Sequence, residues 1–240
     1  MKEFKLKLKQ ELLKSPFIDL LKPDLRPNDD IAFIYISGSL GVNLFEKTSD
    51  IDLHVATINT TAFETSITGL FEKHSMHWWY LRADNYFNQC RLGEKYNLIL
   101  IGQYFLDLAD ENIIYINPKY KELFNLIQKN QDIISKIGLY HHYEAMRFEN
   151  KLWLTAENKS LPKKYSLYLD YYYKANNIER NNALVVKMKH DPFNLTEEEK
   201  EECIDGIAWT FNYLENNDYN YIKDCLILKS EYDEILKTLD

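Results

Sequence analysis

The chain of 240 residues is long enough for one large domain or two small ones, and its 45% hydrophobic content supports a sizeable core. A net charge of −8 argues against an extended surface that grips nucleic acid electrostatically. The cysteines, three in number and far apart, match neither a disulfide framework nor a zinc site, so we expect a cytoplasmic protein. Since no long apolar run is present, we expect neither a signal peptide nor a membrane span.

The first predicted element is a helix over residues 2–14. Phe4, Leu8 and Leu12 recur there at helical spacing. Alternating lysines in the same stretch leave a strand as the alternative. A loop rich in proline, asparagine and aspartate follows and leads into the next element.

The stretch from residue 31 to residue 57 carries most of the chemical information. An apolar run over residues 31–36 meets Gly38 and Ser39, and residues 49–55 then alternate between polar and apolar side chains. This pattern predicts a strand, a tight turn, a short helix and a second strand.

In the second strand, residues two apart point to the same face of the sheet. Asp50 and Asp52 therefore project side by side, and we expect Ile51 and Leu53 to face the core. Two carboxylates held this close repel each other unless a cation lies between them. Hard oxygen ligands of this kind suit Mg²⁺ or Mn²⁺, which bind one or two carboxylates together with substrate phosphates.

The turn supplies the complementary half of a phosphate site. Gly38 lets the backbone approach a phosphate closely, and Ser39 adds a hydroxyl at the start of the short helix. A phosphate-holding turn that faces two metal-binding carboxylates is typical of phosphoryl or nucleotidyl transfer. The alternative is an ordinary hairpin with a solvated acidic face.

Further along the chain the pattern predicts a mixed α/β unit and then helices. The predicted elements are a helix over residues 60–73, a strand over 77–87, a buried strand over 96–105, an extended piece over 113–116, and helical segments from 119 onward that include 165–178, 196–216 with a capping box at Thr196, and 219–239. We therefore predict an α+β fold, with an α/β domain over residues 1–118 and a helical bundle over residues 119–240.

Gly38-Ser39, ten intervening residues and Asp50-x-Asp52 together resemble the signature of the DNA polymerase β-type nucleotidyltransferase superfamily. The resemblance implies a mixed β-sheet with flanking helices. It also implies that Asp50 and Asp52 are catalytic and hold Mg²⁺ (or Mn²⁺), and that Gly38 and Ser39 bind the β- and γ-phosphates of an NTP.

The resemblance also exposes departures from the family pattern. The family usually has a third carboxylate on a later strand, and the matching position here is Asn97, whose amide cannot accept a proton. Glu94, Asp84 and Asp107 are substitutes only under another alignment. Asn43 replaces a common glycine but tolerates a left-handed backbone.

Residues 163–199 loosely resemble the helical half of RNA-repair-associated, polymerase β-like nucleotidyltransferases. There an amphipathic helix precedes a segment with Lys187 and Lys189 and an acidic helix start. Tyrosines between residues 165 and 173 could stack on a base, but their spacing favours packing against a neighbouring helix.

Histidines supply weaker candidates. His54 follows Asp52 on the same strand face and could touch the acceptor or a phosphate, although a partly exposed strand histidine is the plainer expectation. Because His74, His77 and the pair His141-His142 lack an accompanying ligand set, we expect them to be surface or packing residues.

Two hypotheses follow from these patterns. The first is a metal-dependent nucleotidyltransferase that moves an NMP from an NTP to a hydroxyl of RNA, a small molecule or a protein. The second is a catalytically degenerate relative that acts as a nucleotide-binding or antitoxin-like interaction module, a reading that Asn97 motivates.

Overall fold

The computed structural model describes residues 1–14, 30–41, 43, 45–58, 69–83, 108–134, 161–216 and 218–239. The helices are α1 (Lys2–Lys14), α2 (Gly38–Gly41), α3 (Lys121–Lys129), α4 (Leu161–Ala175), α5 (Asn182–His190), α6 (Glu197–Glu215) and α7 (Asp218–Leu239). The strands are β1 (Asp30–Ser37), β2 (Ile51–Ile58), β3 (Gly69–Phe71), β4 (His74–Arg82) and β5 (Ile113–Ile116). Short 3₁₀ helices cover Pro118–Tyr120 and Pro192–Asn194.

The described strands form one mixed sheet in the order β3-β4-β2-β1-β5. β2 pairs parallel to β4, and the other pairings are antiparallel. The fold is therefore α+β, with a mixed sheet and flanking helices. β1 and β2 lie inside the sheet, and each has a paired strand on both sides. The turn between them therefore begins and ends on strands that are held in place from both sides.

Both faces of the central strands are covered, which explains why β1 is an almost unbroken apolar run. On one face, Leu8 and Leu12 of α1 pack in a cluster with Ile34 and Leu53. The opposite cluster lies under α3 and α7. Its members include Phe33, Tyr35 and Ala56 from the sheet and Leu123, Phe124, Leu228 and Tyr232 from the helices.

Helices α4, α5 and α6 build a separate cluster of buried side chains. Gly206 of α6 lets α4 approach closely, because a Cβ there would lie 2.8 Å from a methyl group of Leu169. The Thr210 hydroxyl donates to the backbone oxygen of Tyr168 at 3.0 Å. Four of the α4 tyrosines, at positions 165, 168, 171 and 173, are buried, which confirms the packing interpretation.

Several sequence predictions are confirmed within the described residues. α1 has the predicted bounds, residues 113–116 form a strand, and Thr196 closes the predicted capping box of α6. Ile51 and Leu53 are fully buried, as expected. α4 begins four residues earlier than predicted, at Leu161, since Pro162 lies in its first turn, where proline is tolerated.

The predicted helix over residues 60–73 is wrong at its end. Residues 69–71 form β3, and Phe71 pairs with His74 in a hairpin. Phe71 also packs edge-on against Phe4 of α1, with ring centroids 5.5 Å apart. These tertiary contacts override the helical spacing of the local sequence. Residues 59–68, like the predicted strand over 96–105, lie outside the described residues.

The predicted division after residue 118 stays a prediction. α3 and α7 both follow that position, yet both pack in the cluster that covers one face of the sheet.

Candidate active site at the β1–β2 edge

A sharp turn leads from β1 into α2 at Gly38. Its φ of +58° lies in the left-handed region, which glycine adopts without a steric cost. β1 and β2 are antiparallel neighbours, and Ser37 lies directly opposite Asp52. The turn is therefore fixed against the start of β2. Ser39 follows within α2 and is 8% exposed.

The Asp52 carboxylate contacts this turn directly. A Cβ on Gly38 would lie 2.0 Å from Asp52 Oδ2, so only a residue without a side chain fits there. The other oxygen, Oδ1, accepts a hydrogen bond from the indole Nε1 of Trp79 at 3.1 Å. The Ser37 hydroxyl donates to the backbone oxygen of Asp52 at 3.3 Å.

Asp50 lies just before β2 and is more open to solvent. Its side chain is 55% exposed, and its Oδ2 lies 3.5 Å from Nε2 of His77 on β4. His77 and Trp79 are two residues apart on β4 and share one face of it. The two aspartates that contact them therefore lie on the same side of the sheet, as the alternation in the sequence predicts.

Sequence analysis missed the contribution of β4 to this site. The alternation of residues 77 and 79 in an aromatic strand was visible, but parallel pairing of β4 with β2 is a long-range feature that no local pattern reports. His77 pairs in register with Asp52, and Trp79 with His54. His74 has a packing role, as expected, with its Nδ1 2.7 Å from the backbone oxygen of Ser49.

The expectation of a partly exposed His54 is wrong. This side chain is buried, because α3 and α7 cover its face of the sheet, and its Nδ1 lies 2.9 Å from the hydroxyl of Tyr35. Burial lowers the pKa of His54 to about 3 and keeps the ring neutral near pH 7. It is therefore a core residue behind Asp52, with no access to a substrate.

A buried polar network supports the far end of α2. The Lys5 ammonium is 1% exposed and donates to the backbone oxygen of Gly41 at 3.2 Å and to Asn112 Oδ1 at 2.7 Å. The Asn112 amide nitrogen donates to the same Gly41 oxygen at 3.1 Å. Glu111 lies 3.8 Å from the ammonium. α1 and the segment before β5 thus hold the turn from beneath.

The loop after α2 continues this arrangement toward the helical cluster. Asn43 has a φ of 60°, which confirms that asparagine takes the left-handed conformation here. Glu46 lies 3.5 Å from Nε2 of His190 at the end of α5. α5 therefore approaches the loop that joins the turn to Asp50.

The predicted third position, Asn97, lies outside the described residues, as do Asp84, Glu94, Asp107, His141 and His142.

Among the residues that the structure does describe, no three His, Cys, Asp or Glu side chains are grouped so that they could hold a metal ion. In the described part of the chain, no helix has both the length and the apolar character needed to cross a bilayer.

No protein-family model matches the chain, and no curated protein matches its sequence.

Proposed function

We propose that this chain is a divalent-metal-dependent nucleotidyltransferase that transfers an NMP from an NTP to an acceptor hydroxyl. The observation that carries the proposal is the contact between the Asp52 carboxylate and the left-handed turn at Gly38. It joins the two halves of the motif, a metal-binding carboxylate and a phosphate-holding turn, in one place, with Asp50 on the same side.

The donor set fits Mg²⁺ or Mn²⁺. Asp50 and Asp52 offer hard carboxylate oxygens, and these ions bind one or two carboxylates while keeping sites for water and substrate phosphates. When bound, the ion would neutralise charge on the triphosphate during in-line attack at the α-phosphorus. Both acidic side chains lie on the same side of the sheet at the start of β2, where a bound cation would relieve their mutual repulsion.

The residues of the turn have complementary roles in the proposal. Gly38 makes room for the Asp52 carboxylate, which any side chain there would displace, and Ser39 and the neighbouring backbone would bind the β- and γ-phosphates. In the reaction, the acceptor oxygen bonds to the α-phosphorus as the bond to the β-phosphate oxygen breaks and pyrophosphate leaves. The acceptor proton passes to solvent water or to a general base beside the acceptor.

The acceptor class stays open between an RNA end, a small molecule and a protein hydroxyl. The acidic charge balance disfavours a long nucleic acid, whereas the resemblance of residues 163–199 favours RNA repair. A cytoplasmic location, consistent with the cysteine pattern, also stays a prediction.

A second candidate function is a nucleotide-binding or antitoxin-like module without turnover. The sequence favours it at Asn97, the position that matches the family's third carboxylate, because an amide cannot accept a proton. This candidate keeps the binding site and loses only the chemical step.

The test is incubation of the protein with each of the four α-labelled NTPs, Mg²⁺ or Mn²⁺, and RNA, aminoglycoside or protein acceptors. We expect labelled product with the wild type and a loss of roughly 100-fold or more in Asp52→Asn. Asp132→Asn is the matched control, because Asp132 is 64% exposed and pairs with Lys174 on the helical cluster. NTP binding without transfer would favour the second candidate. Absence of both binding and transfer would exclude the nucleotidyltransferase and the nucleotide-binding module.

A further inference from the structure

The Asp52 carboxylate is held from two sides before any ligand is considered. Its Oδ1 accepts the Trp79 indole N–H at 3.1 Å. Its Oδ2 lies against Gly38, where a Cβ would come within 2.0 Å. A carboxylate fixed at one oxygen by a directional donor and placed at the other by close packing has little freedom to rotate.

The parallel pairing of β2 with β4 explains how Trp79 reaches this position. Asp52 pairs with His77 and His54 pairs with Trp79, so each ring on β4 reaches back by one pair toward the start of β2. His77 thereby meets Asp50, and Trp79 meets Asp52. Trp78, the next residue, faces the opposite side and is buried in the cluster under α1.

The chemistry of the indole ring limits its role. It has one N–H donor and no lone-pair acceptor, so it cannot coordinate a metal ion and cannot accept a proton from a substrate. It can only hold a carboxylate that does bind a cation. Such outer-shell donors fix the orientation of a ligand, and their loss typically weakens metal affinity about 10- to 100-fold.

We propose that Trp79 is a positioning residue that orients the Asp52 carboxylate toward the Gly38 turn for the metal and the nucleotide. This inference rests on the proposed function, since it assigns a support to one of the proposed metal ligands. It also explains why β4, the strand beside the two aspartates, carries a large ring with an N–H at a partly exposed position.

The proposal has a spectroscopic consequence. A paramagnetic Mn²⁺ ion bound by Asp52 lies next to the indole that holds the same carboxylate, so it quenches the fluorescence of Trp79. Trp78 lies on the opposite face of the sheet and Trp209 lies in the helical cluster. Trp153 lies outside the described residues and is kept in every variant compared, so the difference between variants isolates Trp79.

The experiment is a titration of the full chain with Mn²⁺, in the presence of a non-hydrolysable NTP analogue, by calorimetry and by tryptophan fluorescence. Trp79→Phe keeps an aromatic ring and removes the N–H, while Trp78→Phe is the matched control on the other face. We expect Trp79→Phe to bind Mn²⁺ about tenfold more weakly or worse and to lose most of the quenching. Trp78→Phe should keep both the affinity and the quenching.

A measurement on the wild-type chain guards against a variant that fails to fold. In a ¹⁵N-indole NMR spectrum, the Trp79 resonance should move when Mg²⁺ and the analogue are added, and Asp52→Asn should abolish that movement. If wild type and Trp79→Phe bind Mn²⁺ equally well, or the resonance stays in place while calorimetry shows binding, the inference is overturned and the proposed function stands. If the wild type binds neither ion nor analogue, the proposed function fails and the inference fails with it.

Discussion

Two separate physical requirements favour glycine at position 38. Its positive φ is needed for the turn, and its missing side chain is needed for the Asp52 carboxylate. Either requirement alone would favour glycine, and together they make the position intolerant of any other residue. The sequence shows the glycine and the aspartate, but the distance between them follows from the pairing of β1 with β2.

Gly38→Ala should therefore damage the site more than the fold. A left-handed alanine costs about 1 kcal/mol, and relief of the clash must displace the Asp52 carboxylate. We expect urea unfolding to show a loss of about 1–3 kcal/mol and calorimetry to show loss of NTP binding.

Asn43→Gly is the control, since it relaxes an exposed left-handed residue in the neighbouring loop and should leave both quantities nearly unchanged. Wild-type nucleotide binding by Gly38→Ala would contradict the account of the turn.

His54 gives stability a pH dependence with a definite sign. Its folded-state pKa of about 3 lies below the ordinary value of 6.5, so the unfolded chain binds a proton that the folded chain does not. The stabilisation is present above pH 6.5 and is lost as the pH falls from there toward 3. Wild type should lose about 2 kcal/mol more stability than His54→Gln between about pH 7 and pH 5.

Urea unfolding in the presence of EDTA at several pH values measures this difference without interference from divalent ions. Identical pH profiles for the two proteins would contradict the assignment of His54 as a buried neutral residue.

At the scale of elements, the site consists of a turn between two central strands, supported by α1 from one side. Three of these elements could be predicted from the sequence, because the pattern of each reflects burial within a single element. They are β1 with its apolar run, β2 with its alternation and α1 with its helical spacing. The contact of β4 with the two aspartates could not be predicted from the sequence, since its parallel pairing with β2 joins residues far apart in the chain. The predicted helix over residues 60–73 is wrong at its end for a related reason. Phe71 packs against Phe4 of α1, which is far away in the chain, and it pairs with His74 as part of a strand.

Lys5 is the element-level test, because it ties α1 to the end of α2. Lys5→Met removes two buried hydrogen bonds, to Gly41 and to Asn112, and should cost about 2 kcal/mol of unfolding free energy. Lys7→Met is the matched control on the same helix, since Lys7 is 59% exposed and water screens its pairing with Glu72.

Chemical denaturation of both variants decides the point. Equal effects of the two substitutions would show that the buried network does not hold the turn.

At the scale of the whole molecule, the described helices and the sheet form two packed groups, one with a buried cluster on each face of the sheet and one with a single buried cluster. One contains the sheet with α1, α3 and α7, and the other contains α4, α5 and α6. The sequence predicted an α/β part followed by helices, which local periodicity can show. It could not show that α7, the last helix, returns to pack with the sheet, because an amphipathic helix does not specify its partner. His190 of α5 reaches Glu46 beside the site, so the helical cluster approaches the loop that precedes Asp50.

The most direct test of the central claim is a crystal structure with Mn²⁺ and a non-hydrolysable NTP analogue, with the ion located by its anomalous scattering. We expect one ion bound by oxygens of both Asp50 and Asp52 at about 2.1 Å, with the triphosphate against the turn at Gly38 and Ser39. An ion or a triphosphate bound elsewhere, with the two carboxylates unengaged, would contradict the central claim.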